Sequence, residues 1–191
     1  MRKIIVSNLV SLDGFMAGPE GEIDWFLWNE ETAQYAKDLA ESIDTILFGR
    51  VTYELMAGFW PTPAADSEDP VITEYMNNLP KIVFSKTLER ANWKNTRVMK
   101  EINPAEILKM KQQPGRNMVI YGSGSLVSTL TQSGLIDDYL IFVNPVVLGQ
   151  GKPLFKDLKD RHNLKLVNTK IFKNGVGLLH YEPDRKAKEA S

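Results

Sequence analysis

The sequence predicts an α/β fold: a mixed, mostly parallel sheet flanked by helices and finished by a C-terminal antiparallel hairpin. Three observations carry that expectation. Short apolar runs at residues 3–10, 45–48, 81–84 and 118–121 alternate with stretches of helical periodicity. Two of the runs end on glycine, at Gly49 and Gly122, and pass at once into helical spacing. Near the end, Lys173-Asn174-Gly175 carries the Asn-Gly pair of a tight hairpin turn between two strand-like segments.

The chain in order justifies each element. Residues 3–10 are rich in Ile, Val and Leu and read as a strand, ended by Ser11-Leu12-Asp13-Gly14. Residues 15–24 carry Gly18, Pro19 and Gly21 and lead into Trp25-Phe26-Leu27-Trp28. Such a loop either closes over a ligand or connects two elements while its aromatics cover the core. Asn29 is placed to cap a helix, with Glu30 and Glu31 in its first turn. Ala33, Ala36, Leu39, Ala40 and Ile43 then share one face. Residues 45–48 make a second buried strand, followed by Gly49-Arg50-Val51-Thr52 and a helical stretch over 53–57. Asp69 and Pro70 read as the cap and first residue of a helix to about residue 77. Residues 81–84 form a third strand leading into Ser85-Lys86-Thr87, and 96–99 form another. Asn103-Pro104-Ala105-Glu106 opens a helix to about residue 112. Residues 138–147 read as a long strand interrupted by Pro145, which points to an edge or a bulge there. Gly149-Gln150-Gly151-Lys152-Pro153 reads as a mobile turn. Residues 164–172 and 176–181 are the two arms of the hairpin. No repeat or linker appears, so residues 1–183 are expected to be one domain and 184–191 a polar tail.

Bulk properties narrow the function. The 191 residues suffice for a substantial core. A net charge of -1 provides no general attraction to nucleic acid or an anionic membrane. The absence of cysteine removes disulfides, thiolate nucleophiles and cysteine metal sites. The two histidines, His162 and His180, are not at ligand spacing, so no metal centre is expected. The N-terminal apolar run is too short for a signal peptide or a membrane span, and a cytoplasmic location is expected.

Candidate chemistry centres on NMVIYGSGSLVSTL, residues 117–130. Strand, small-residue turn and helix is the geometry that aims free backbone N–H groups at an anion. Val127 stands where a Rossmann fingerprint has its third glycine, and no Lys-Ser/Thr pair of a P-loop follows. Taken alone, the stretch reads equally well as a cradle and as a tight turn with no ligand. Gly49-Arg50-Val51-Thr52 is a second strand–glycine–helix junction, with a guanidinium able to grip a phosphate. Ser85-Lys86 again puts a hydroxyl and a cation at a strand end. Ligands of such sheets sit at the carboxyl ends of the strands, where Gly49, Ser85 and Gly122 all lie.

Five pieces in order give the chain a resemblance: Ser11-Leu12-Asp13-Gly14, residues 47–54 (LFGRVTYE), Val83-Phe84-Ser85-Lys86, residues 119–124 (VIYGSG), and residues 146–151 (VVLGQG) with Leu154-Phe155. Together they resemble the dihydrofolate reductase-like fold. They are most similar to the reductase (RibD C-terminal) domain of riboflavin synthesis and its stand-alone bacterial relatives. The resemblance implies a three-layer α/β/α domain around a sheet of about eight strands, NADPH as cofactor, a small-molecule substrate, and a homodimer. It implies that Gly122, Ser123, Gly124, Ser125 and Leu126 hold the pyrophosphate. Gly49, Arg50 and Thr52 would hold the other phosphate-facing edge, and Ser85 and Lys86, with Arg50, would meet the 2′-phosphate. Several donors and cations suit a dianionic phosphate, whereas a bare ribose hydroxyl suits an acidic acceptor. Hydride would pass to a pteridine-, pyrimidine- or ribosylamino-type substrate lying against the loop after the first strand. Asp13, Gly14 and Trp25 are the candidates there, with Asp13 equally a turn-former before Gly14. No general acid stands out, so ordered water is the expected proton source. Two features depart from the dihydrofolate reductases. Their acidic residue of the first helix falls near Thr32-Ala33-Gln34, and the tyrosine after their glycine turn is Val127 here. The competing expectations are a nucleotide-binding protein without turnover and a dimeric regulatory module built on the C-terminal hairpin.

Overall fold

The computed structural model describes residues 1–185; of the polar tail expected over 184–191, residues 186–191 lie outside the described residues. In chain order the elements are β1 (Ile4–Ser11), β2 (Phe15–Ala17), α1 (Glu30–Glu41), β3 (Ile43–Gly49), α2 (Arg50–Ala57), α3 (Pro70–Asn78), β4 (Lys81–Phe84) and β5 (Thr96–Met99). There follow α4 (Pro104–Gln112), β6 (Asn117–Ile120), α5 (Gly124–Gln132), β7 (Asp138–Asn144), β8 (Lys152–Pro153), β9 (Leu164–Ile171) and β10 (Gly177–Pro183).

Eight strands form one sheet in the order β5-β4-β3-β6-β1-β7-β10-β9. The first six are mutually parallel, and β10 runs antiparallel to both β7 and β9. Strand parity sorts the core into two layers. Met118 and Ile120 of β6 pack with Ile107 of α4 and with Leu126, Val127 and Leu130 of α5. Val119 and Tyr121 face the other way, toward Tyr35 and Leu39 of α1, Tyr53 of α2 and Met76 of α3. This is the expected three-layer arrangement, and near-continuous apolar runs are what strands buried on both faces require.

Local chemistry fixes the helix ends. Asn29 and Thr32 form a capping box on α1, and Asp69 and Asn103 cap helices whose first residue is proline. Helix α5 closes with Gly134 at φ +66, where Gly134 N–H donates to Thr131 O and Leu135 N–H to Leu130 O. That pair of bonds is the Schellman closure.

Three expectations change. Ile43 is the first residue of β3, not the last of α1, because Ser42 caps α1 and turns the chain. Pro145 does not interrupt a strand: β7 stops at Asn144 and lies inside the sheet, between β1 and β10. An internal strand needs its N–H groups on the ladder, so the proline falls just past its end. The turn expected at 149–153 contributes β8, which pairs with β2 across a close approach. A Cβ on Gly151 would lie 2.4 Å from Ala17 O.

Buried Lys81 closes the C-terminus of α3. Its Nζ donates to Leu79 O (2.7 Å), Asn77 O (3.1 Å) and Lys94 O (3.4 Å) and lies 4.4 Å above the Trp93 ring. Burial, with the Lys94 charge adding to it, pushes its pKa down from 10.5 to about 8. A lysine whose folded pKa is depressed burdens the fold below that value, and the burden lifts as pH rises toward the unfolded pKa. Relative to Lys81→Met, the wild type is therefore expected to gain about 2 to 3 kcal/mol of unfolding free energy between pH 7 and pH 10. Urea titrations of both proteins across that range check it; a constant difference would count against it.

Candidate functional site

Register brings the three predicted loops to one edge. Gly49 pairs with Phe84, and Leu47 pairs with Ile120. Ser85, Gly49 and Gly122 therefore stand at the carboxyl ends of the adjacent strands β4, β3 and β6, about 5 Å from strand to strand.

The two glycine junctions are bolted to each other and to β1. Gly122 and Ser123 both adopt left-handed backbone, at φ +60 each. The buried Asn8 side chain reads the Gly122 peptide on both sides: Gly122 N–H donates to Asn8 Oδ1, and Asn8 Nδ2 donates to Gly122 O. Ser123 N–H and Ser123 Oγ both donate to Thr52 Oγ1 at 3.0 Å, and Gly49 N–H donates to Ser123 Oγ at 2.7 Å. The glycines are required by these protein contacts. A Cβ on Gly122 would meet Thr52 Oγ1 at 2.7 Å, and one on Gly124 would meet Pro153 O at 2.8 Å.

The amides of Gly122 and Ser123 are thus spent inside the protein, while the next three are not. The first backbone bond of α5 runs from Val127 N–H to Ser123 O, and the Ser123 side chain does not cap the helix. Gly124, Ser125 and Leu126 carry N–H groups with no protein acceptor among the described residues. Helix α2 likewise begins without a side-chain cap on Gly49, freeing the N–H groups of its first turn. Neither first turn contains an acidic residue. Two uncapped helix N-termini converging on one edge make a concentrated positive dipole end with free donors.

Cations border this edge. The Arg50 guanidinium is half-exposed and paired with Glu54 Oε2 at 2.9 Å. Beside β4, a cavity of about 370 Å³ is lined by Ser85, Lys86, Lys100, Glu101, Ile102 and Thr129. Ser85 Oγ accepts the N–H groups of Thr87 and Leu88, which fixes the loop carrying exposed Lys86. Lys100 escaped the sequence reading because it follows β5 with no glycine signal; its Nζ donates to Leu88 O.

The predicted substrate-side residues fall into two places. Asp13 and Gly14 sit between β1 and β2. The Asp13 carboxylate accepts from Ser11 Oγ (2.6 Å), Gly149 N–H (2.7 Å) and Leu148 N–H (3.2 Å), tying the loop after β1 to the loop after β7. The Ser11 bond first, and then those amides, hold its pKa below the usual carboxylate range. Trp25 lies in the connection to α1, its indole donating to Glu22 O and its ring edge-on to Phe26. The end of that connection is anchored where Leu27 N–H donates to buried Asn144 Oδ1. At the head of α1, Thr32 is buried in the capping box and Glu31 accepts Lys173 N–H.

Two further residues at this edge were missed: Asn8 and Tyr121. Asn8 had a signal, a polar side chain inside an apolar strand. Tyr121 had none that separated it from core; its hydroxyl meets that of Tyr75 on α3 at 3.1 Å. At the opposite end of the sheet, Asp138, His180 and Glu182 place ligand-type atoms within 4.8 Å of one another. Lys3 Nζ stands 3.0 Å from Asp138 and 3.7 Å from Glu182, so both carboxylates of that cluster already have a cationic partner.

Comparison with known proteins gives the context. Residues 2–178 match the RibD C-terminal domain. The uncharacterized protein YyaP of Bacillus subtilis is 36% identical over 184 residues, which cover 94% of each chain. The dihydrofolate reductase of Enterococcus faecalis, solved in complex with NADP(H), superposes with a TM-score of 0.66 at 18% identity, over 95% of this chain and 96% of that one. A Thermotoga maritima diaminohydroxyphosphoribosylaminopyrimidine deaminase/5-amino-6-(5-phosphoribosylamino)uracil reductase superposes at 0.68 with 15% identity, over 95% of this chain and 56% of that one.

Proposed function

The chain belongs to the RibD C-terminal domain family, and from that membership and the geometry of the sheet edge we propose that it is an NADPH-dependent reductase of a small pteridine-, pyrimidine- or ribosylamino-type substrate. The observation that carries the proposal is the set of unspent N–H groups at Gly124, Ser125 and Leu126, at the same sheet edge as the uncapped start of α2. These amides would receive the pyrophosphate, with Gly49, Gly122, Ser123 and Thr52 holding the turn in shape. Arg50, Ser85 and Lys86 would meet the 2′-phosphate, and Lys100 adds a cation on the same side. NADPH would supply the hydride; the protein's part is to fix the nicotinamide beside the loops carrying Asp13, Gly14 and Trp25. Asp13, braced by two loop amides, would hold that wall in position.

Arg50→Ala combined with Lys86→Ala is expected to weaken NADPH binding about 30- to 100-fold while NADH affinity stays within about 2-fold, since two charge-assisted contacts to one phosphate are removed. Fluorescence titration of both nucleotides reads this. Equal NADPH affinity in the variant would remove the 2′-phosphate site.

A homodimer in the cytoplasm fits the same reading. Strand β9 is an exposed edge along all eight residues, and Leu166, Val167 and Ile171 stand 50%, 46% and 74% exposed. Ile171 aligns across β10 with Val143, and Thr169 with Leu179 and Ile141, extending an apolar row into the sheet. A second copy covering this row explains why it is apolar. Ile171→Glu is expected to convert a dimer into a 21.6 kDa monomer by light scattering. A wild-type monomer would overturn the dimer.

A further inference from the structure

We propose that the paired phenols of Tyr121 and Tyr75 are a specificity device that donates one hydrogen bond to an acceptor atom on the substrate. The inference rests on the reductase reading above, because it needs a second ligand beside the nicotinamide.

Position is the first support. Tyr121 directly precedes Gly122, whose peptide Asn8 clamps on both sides, so its backbone is fixed at the cradle. Its side chain lies on the face shared with α1, α2 and α3, together with Leu9, Met56 and Trp60, and is neither fully buried nor exposed. A molecule accepting hydride must lie against the nicotinamide, and so within reach of the strand ends that hold the cofactor.

Hydrogen-bond counting is the second. The two hydroxyls meet at 3.1 Å and have no other partner among the described residues. Two phenols carry two protons, and one contact uses only one of them. Whichever hydroxyl accepts within the pair keeps a proton to give away. Both side chains are partly exposed, so the spare proton is open to an acceptor that takes the place of water at the pair. Burial raises the pKa of both phenols, Tyr121 to about 12, so the pair stays protonated at neutral pH and keeps its spare proton to donate. What it would recognise is a carbonyl oxygen or an unprotonated ring nitrogen.

The probe is lumazine, a fluorescent pteridine-2,4-dione that presents carbonyl and ring-nitrogen acceptors, titrated into the full-length protein both free and saturated with NADP⁺. Saturable binding is expected to weaken about 10-fold in Tyr121→Phe and about 3- to 10-fold in Tyr75→Phe. Neither variant should change NADPH affinity or shift the melting temperature by more than a few degrees. A purely structural phenol pair would lower stability and leave lumazine affinity untouched. Unchanged lumazine affinity in both variants, or no lumazine binding by the wild type at millimolar concentration, overturns the inference. NADPH titration separates the two claims: saturable NADPH binding with no effect of the phenols on lumazine sinks only this inference, whereas no NADPH binding sinks the reductase reading and this inference with it.

Discussion

Gly122→Ala is expected to lower stability by about 2 to 3 kcal/mol and to weaken NADPH binding by 100-fold or more. The residue sits at φ +60, where an L side chain costs about 1 kcal/mol. Its new Cβ would then lie 2.7 Å from Thr52 Oγ1 and 2.9 Å from Thr52 Cγ2. Thr52 cannot simply rotate away, because Oγ1 accepts both Ser123 N–H and Ser123 Oγ. Relief must come from moving the start of α5 away from α2. That movement re-aims the three free amides, and misplacement of about 1 Å is enough to cost two orders of magnitude. Urea unfolding and nicotinamide fluorescence read the two effects. A variant of wild-type affinity would mean that the turn does not set the cradle.

Lys111→Met carries the largest expected stability loss, about 3 to 5 kcal/mol. The Lys111 side chain is nearly inaccessible, and its Nζ donates to Asp137 Oδ2 at 2.6 Å and to Leu135 O at 3.0 Å. The same carboxylate oxygen accepts Ile4 N–H at 2.8 Å. One ion pair therefore joins α4, the turn into β7 and the first residue of β1. Removing only the cation leaves a carboxylate with little water whose one other ion pair among the described residues is with the exposed Arg185 guanidinium, 3.6 Å from Oδ1, which costs far more than the pair itself gains. Adding Asp137→Asn should return part of the loss, since a neutral amide tolerates that site better. Because these groups lie at the amino ends of the parallel strands, the affinity of the folded variant for NADPH should stay within about 2-fold. Denaturant midpoints of the single and double variants test the coupling.

Most of the layer structure was legible from residues 1–185, and the reasons are local. β4, β5 and the starts of α3 and α4 follow from apolar runs and from Asx-Pro caps, signals that neighbouring residues carry by themselves. The β2–β8 pairing was not legible, because strands of three and two residues are defined by each other and not by their own sequence. Pro145 misled for a related reason: its meaning depends on whether β7 is an edge, which only the return of β10 decides. At the site, Gly49, Ser85 and Gly122 were legible as strand ends, and the sheet order puts them side by side. The bonding inside the edge was not legible. Asn8 lies 114 residues from Gly122, and Thr52 lies 71 from Ser123. Nor was it legible that Gly122 leaves room for Thr52 and Gly124 for the carbonyl of Pro153. Of the five residues expected to hold the pyrophosphate, Gly122 and Ser123 have amides already bonded within the protein, so the proposed anion site rests on Gly124, Ser125 and Leu126.

The central claim is that those first-turn amides receive a nucleotide pyrophosphate. Amide nitrogen–proton NMR spectra of the labelled protein during an NADPH titration test it most directly. The account predicts saturable downfield shifts at Gly124, Ser125 and Leu126, with smaller changes at Gly122 and Ser123, whose N–H groups are already bonded to Asn8 and Thr52. Unmoved resonances at those three residues at saturating NADPH, or shifts centred on another edge of the sheet, would contradict it.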